Sequence, residues 1–165
     1  MKKCFTVIAL FAVFALAACA GHGTSAKGKE LPIEAAAVKL VSDAKAGNYG
    51  LITTPELKEK MDKDKKVTII STLPAEEDKA YGKLPNALSA PLPKTEKELT
   101  PADKDNLLKV AGPDKEKEIV LYCGYVSCRR STIGAKILSD EGYKNVLKYP
   151  GGITAWDEAG YPVEK

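Results

Sequence analysis

The stretch Ile119-Val-Leu-Tyr-Cys-Gly-Tyr-Val-Ser-Cys-Arg-Arg-Ser131 constrains the fold of this 165-residue chain more than any other. An apolar, β-branched run stops abruptly at Cys123. A short loop with two arginines follows, and Ser131 opens a helical pattern carried by Ile133, Ala135, Ile137 and Leu138. A thiol at the end of a strand, facing a helix N-terminus, sits where backbone amides and the helix dipole favour an anion. Those surroundings depress a cysteine pKa and make thiolate available near neutral pH. A structural cysteine sits more naturally in mid-strand, among apolar neighbours.

The same alternation runs through the rest of the chain. From Pro32, the residues Ile33, Ala36, Ala37, Leu40, Val41 and Ala44 recur at helix spacing until Gly47-Asn48. Leu51–Thr54 reads as a short strand, and Thr54-Pro55-Glu56 as the cap and first turn of a helix reaching about Lys60. Val67–Ile70 is a strand buried on both faces, and Pro74–Asp78 begin a short helix or turn. Pro91 to Pro101 is proline-spaced, and Asp103–Val110 is helical. Gly142 caps the helix after the cysteine loop, Asn145–Tyr149 is a further strand, and Pro150-Gly-Gly152 turns into a short helix with Trp156. Strands alternating with helices predict an α/β domain with a largely parallel sheet. Ligands of such sheets sit outside the carboxyl ends of the strands, where Cys123 lies.

The N-terminus follows another logic. Lys2 and Lys3 precede an apolar run, Phe5–Leu16, that is short for a membrane span. Leu16-Ala-Ala-Cys19 resembles a bacterial lipobox. By that resemblance residues 1–18 are a lipoprotein signal peptide, and Cys19 carries the lipid that anchors the chain to the membrane. The protein is then expected in the bacterial cell envelope, facing the periplasm. Ala20 stands where an aspartate would retain it at the inner membrane, so the outer membrane is favoured. An ordinary signal peptide with Cys19 incidental is the plainer alternative. Residues 19–31 have the composition of a flexible tether, and 32–50 form an N-terminal helical extension.

Without residues 1–18 the formal charge falls from +3 to +1, with 23 basic residues against 22 acidic ones. Both signs are interspersed, which offers no footprint for nucleic acid. The sole histidine, His22, lies in the tether, which excludes a Cys-His or Ser-His pair and argues against a histidine-rich metal site. No metal or cofactor is expected. Cys123 and Cys128 are the thiols left after Cys4 and Cys19 are accounted for.

Three blocks, in order, resemble the rhodanese family over residues 51–163: Gly82-Lys-Leu-Pro-Asn-Ala87, Tyr122-Cys123, and Tyr149-Pro-Gly-Gly-Ile-Thr-Ala-Trp156. The resemblance implies a three-layer α/β/α domain with a mostly parallel central sheet. It also implies a sulfurtransferase without a cofactor, in which Cys123 takes sulfane sulfur from thiosulfate or a similar small donor as a persulfide. A thiol, cyanide or a protein acceptor then collects that sulfur. Amides of the loop Gly124, Tyr125, Val126, Ser127, Cys128, Arg129 and Arg130 would cradle the anion, with one of the two arginines turned inward to the donor. Ser71 and Leu73 stand where the family usually has aspartate and arginine, and Lys83 and Asn86 replace its histidine and glycine.

Other readings of the loop stay open. Cys123 and Arg129 form the Cys-x5-Arg pattern of cysteine phosphatases, some of which share this fold. Against that stand Tyr122 in place of their usual histidine and Arg130 in place of serine or threonine. A third reading is thiol-redox chemistry or a non-catalytic binding module using Cys123 and Cys128. Cys128 is either a resolving thiol for Cys123 or a small side chain filling space. Tyr125 is either a pocket cover or a surface aromatic. Trp156 reads as a packing anchor.

Overall fold

In a computed structural model, residues 30–63 and 67–165 are described. Those from Leu31 onward form one compact unit. The segment expected to be a signal peptide, Cys19 and the expected tether up to residue 29 lie outside the described residues. The elements run α1 (Glu30–Ala46), β1 (Gly50–Leu51), α2 (Thr54–Lys63), β2 (Thr68–Ser71), α3 (Ala75–Tyr81) and β3 (Leu88–Ser89). A 3-10 turn at Glu96–Glu98 leads into α4 (Pro101–Ala111), β4 (Glu118–Tyr122), α5 (Arg130–Asp140), β5 (Asn145–Tyr149) and α6 (Gly152–Glu158). No described helix is long and apolar enough to cross a membrane.

All five strands are parallel, in the order β1-β5-β4-β2-β3. Within a strand, successive side chains point to opposite faces. Ile119 and Leu121 join Ile70 and Val146 in a core under α1, α4 and α5, contributed by Ala44, Leu107, Ala111, Ile133 and Leu138. Val120 and Tyr122 join Ile69 and Tyr149 beneath α2 and α6, contributed by Leu57, Ile153 and Trp156. This is the three-layer α/β/α arrangement, and β4 at its centre is buried from Ile119 to Tyr122.

Several boundaries differ from the sequence expectation for physical reasons. The strand expected over Leu51–Thr54 stops at Leu51, because Thr53 turns to cap α2. Its amide and hydroxyl both donate to Glu56, at 2.9 and 2.6 Å, so the cap is Thr53 rather than Thr54. Helix α4 starts at Pro101, two residues before Asp103, because Thr100 and Asp103 form a reciprocal capping box. Helix α1 starts at Glu30, so it takes in the last two residues assigned to the tether. Of its apolar stripe only Ala44 is fully buried, while Ile33 and Val41 are exposed. Strand β3 was not expected. Its two-residue pairing with β2 is a tertiary contact with no periodicity to read.

The departures at Ser71 and Leu73 have a structural counterpart. Ser71 Oγ donates to Asp78 Oδ1 at 2.7 Å, and Ser89 Oγ to Asp78 Oδ2 at 3.0 Å. A carboxylate from α3 thus ties β2 to β3, and Leu73 packs fully buried beside it. Trp156 is an anchor as expected: its Nε1 donates to Pro162 O at 2.9 Å, and it packs edge-on against Tyr149 and Tyr161. Because Asp78 answers two hydroxyls, Asp78→Ala is expected to lower unfolding free energy by about 1–3 kcal/mol through unsatisfied buried groups. Urea unfolding of the two proteins measures it.

Candidate active site

Cys123 follows the last residue of β4, between the carboxyl ends of β2 and β5. Two amides at the start of α6 hold the chain there. Ile153 N–H donates to Cys123 O at 2.9 Å and Thr154 N–H to Gly124 O at 3.1 Å. Gly152 has φ of +62°, and a Cβ on it would lie 2.3 Å from Cys123 O and 2.6 Å from Gly124 C. The Gly-Gly block therefore serves close backbone approach, a position that admits no side chain.

The loop then curls back. Cys128 N–H donates to Tyr125 O at 2.9 Å, which returns Cys128 to the strand end. Cys123 Sγ lies 3.5 Å from Cys128 O and 3.3 Å from Ser131 Oγ. Cys123 is 1% exposed and Cys128 8%, both within the core beneath α2 and α6. Both are free thiols. Tyr125, Val126 and Ser127 form the exposed outer side of the loop.

The two thiols shift in opposite directions. Burial pushes the Cys123 thiol well above its ordinary range, and the neighbouring Cys128 reinforces this, while Ser131 opposes it through its hydroxyl and amide. Cys128 is drawn down to about 5, first by the hydrogen bond from the Cys123 thiol, against the opposing effect of burial. The amides of Arg130 and Gly124 and the Arg130 guanidinium add to that lowering. Such a pair titrates as a unit.

One arginine of the loop turns inward and the other outward. Arg130 is buried, with Nε on Leu92 O at 3.0 Å, Nη2 on Glu77 Oε1 at 3.2 Å and Nη1 3.9 Å from Cys128 Sγ. Arg129 turns away, pairing with Asp43 of α1 at 2.7 Å and with Glu96. The Cys-x5-Arg pattern requires Arg129 to face Cys123, and here that arginine is held by two carboxylates elsewhere.

Lys148 is a member of the site that sequence reasoning missed. It lies inside β5, 2% exposed, with Nζ donating to Thr132 Oγ1 at 2.7 Å and to Cys128 O at 3.4 Å. No described carboxylate forms a salt bridge with it. Burial lowers its pKa, and the charges of Cys123 and Cys128 are the largest opposing influence. The available signal was one lysine within an otherwise apolar strand pattern, Val146-Leu-Lys-Tyr149.

A cleft of about 340 Å³ separates α1 from the loop, lined by Lys39, Leu40, Asp43, Val126, Cys128 and Lys148 among others. It reaches Cys128 but not Cys123. Among the described residues no cluster of histidine, cysteine or acids is placed to hold a metal ion.

The rhodanese-like domain family profile matches residues 53–159, well over half of the chain. A curated protein named sulfurtransferase, from Allochromatium vinosum, is 32% identical over 84 residues. That match covers 51% of this chain and 66% of the relative, just under two thirds of its length. A rhodanese-like domain protein from Staphylococcus aureus superposes with a TM-score of 0.52 at 26% identity, over 70% of this chain and 99% of that one. The fold is also that of a thiosulfate sulfurtransferase from Pseudomonas aeruginosa, with a TM-score of 0.58 at 22% identity, over 78% of this chain and 22% of that one.

The Lys148 charge tests whether the thiolate depends on its surroundings. Coulombic attraction is mutual, so Lys148→Met is expected to raise the pH at which thiolate absorbance appears. It is also expected to lower unfolding free energy where the thiolate is formed, because removing the lysine leaves the buried thiolate without its compensating charge. Ultraviolet titration and urea unfolding read the two effects separately.

Proposed function

The chain belongs to the rhodanese-like domain family, and from that premise we propose that it is a sulfurtransferase carrying sulfane sulfur on Cys123. The observation that carries this reading is the buried thiol pair at the carboxyl end of the central strand, with Cys123 Sγ 3.5 Å from Cys128 O and 3.3 Å from Ser131 Oγ. A relative bearing the name sulfurtransferase supports it. The loop residues 124–127 move aside to admit a donor, because Cys123 is otherwise sealed.

The chemistry is two displacements. The Cys123 proton passes to Cys128, leaving the Cys123 thiolate. That thiolate attacks the outer sulfur of thiosulfate; a new S–S bond forms, the old one breaks, and sulfite leaves with the electron pair. A thiolate or cyanide then attacks the outer persulfide sulfur, and the Cys123 thiolate departs. The Arg130 guanidinium at Cys128 Sγ and Lys148 Nζ at Cys128 O place positive groups around the thiol pair, a fixed electrostatic environment of the kind that lowers such barriers.

In the cell we place the domain on the periplasmic side of the envelope, lipid-anchored through Cys19, with small-molecule donors and thiol, cyanide or protein acceptors. The support is the Lys2-Lys3 start, the apolar run and the Leu16–Cys19 motif.

Cys123→Ser is expected to abolish sulfite release from thiosulfate, a loss of at least ~10³-fold for removing a covalent nucleophile. An unchanged sulfite yield would remove Cys123 from the reaction. Cys19→Ala is expected to move the protein from the detergent-soluble membrane fraction to the aqueous fraction. Continued membrane retention without the lipid-bearing residue would overturn the anchor.

A further inference from the structure

We infer that Cys128 resolves the Cys123 persulfide, so that the domain reduces sulfane sulfur to hydrosulfide and ends each half-cycle as a Cys123–Cys128 disulfide. This rests on the sulfurtransferase reading and adds a second outcome for the carried sulfur.

The geometry is set by the loop. The turn from Tyr125 to Cys128 folds the second cysteine onto the first, and the backbone of Cys128 comes within 3.5 Å of Cys123 Sγ. Both side chains lie in one buried cluster. Cys128 also has groups that hold it as an anion: Arg130 Nη1 at 3.9 Å and the amides of Gly124 and Arg130. A residue that only fills space has no use for a guanidinium directed at its sulfur. External acceptors reach Cys123 only when the loop moves, whereas Cys128 is already beside it.

Leaving-group chemistry chooses which sulfur is attacked. Exchange is faster when the departing sulfur is the weaker base. Attack on the outer sulfur would expel the Cys123 thiolate, which burial makes a strong base. Attack on Cys123 Sγ expels hydrosulfide instead. The step balances without an outside oxidant. After sulfite has left, the proton on Cys128 passes to the outer persulfide sulfur. The Cys128 thiolate then forms a bond to Cys123 Sγ, the persulfide S–S bond breaks, and its electron pair leaves with HS⁻. The donor's sulfane sulfur has taken two electrons from the two thiols. An external dithiol, by two successive exchanges, returns the disulfide to the starting pair.

The full chain is reduced, freed of reductant and given one equivalent of thiosulfate. The expected products are sulfite, about one equivalent of hydrosulfide by the stoichiometry of thiol–disulfide exchange, and a chain lighter by two hydrogens. Peptide mapping is expected to find Cys123 linked to Cys128. Cys128→Ala and Cys128→Ser are each expected to release sulfite more slowly, because the Cys123 proton loses its acceptor, and at completion to retain one added sulfur on Cys123 with no hydrosulfide released. A wild-type chain that keeps the added sulfur and releases no hydrosulfide overturns the resolving role while leaving sulfur transfer intact. The same holds if the added sulfur is found on Cys128. Absence of sulfite from wild type and both variants overturns the sulfurtransferase reading together with this one.

Discussion

The contact between the start of α6 and the backbone of Cys123 and Gly124 determines where the chain leaves the central strand. Two amides donate to the two carbonyls, and the bare Cα of Gly152 permits the approach. With the strand end held, the loop has one direction in which to close. Its turn returns Cys128 to Cys123, and Arg130 enters the core at the first residue of α5. Were the strand end free to move outward, the thiol would lose its burial, its Ser131 contact and its partner sulfur together.

Charge in this region is balanced group by group. Arg130 has Glu77, and Arg129 has Asp43 and Glu96. Lys148 has a hydroxyl and a carbonyl but, among the described residues, no carboxylate, and the thiol pair is the largest influence favouring its charge. A buried cation is costly unless an anion shares its environment. The thiolate and the lysine therefore stabilise each other, which connects the interior of β5 to the ionisation state of the loop. Arg129 acts on the outer side, where its ion pairs tether the loop to α1 and to the 3-10 turn and form one end of the cleft.

Much of the fold was legible because each element carried its own local signal. The run Ile119–Tyr122, the pattern of α5 and the strand Asn145–Tyr149 are found where periodicity put them, within a residue or two. Strand β3 and the 3-10 turn at Glu96–Glu98 carry no periodic signal, since they exist only through neighbours distant in sequence. At the site, Cys123, Cys128 and the two arginines were visible as residue types in a loop. Their division of labour was not, because a backbone rotation of one residue decides whether an arginine meets Glu77 or Asp43.

By itself the sequence determined the alternation of strand and helix, the strand-end cysteine and the glycines that three-block spacing singles out. These are properties of short segments, settled by side-chain periodicity and by the absence of a Cβ. Only the tertiary structure decided that the loop returns Cys128 to Cys123, that Arg130 rather than Arg129 faces inward, and that Lys148 is buried beside them. Each depends on distances between segments far apart in the chain, and burial amplifies those distances into differences of ionisation.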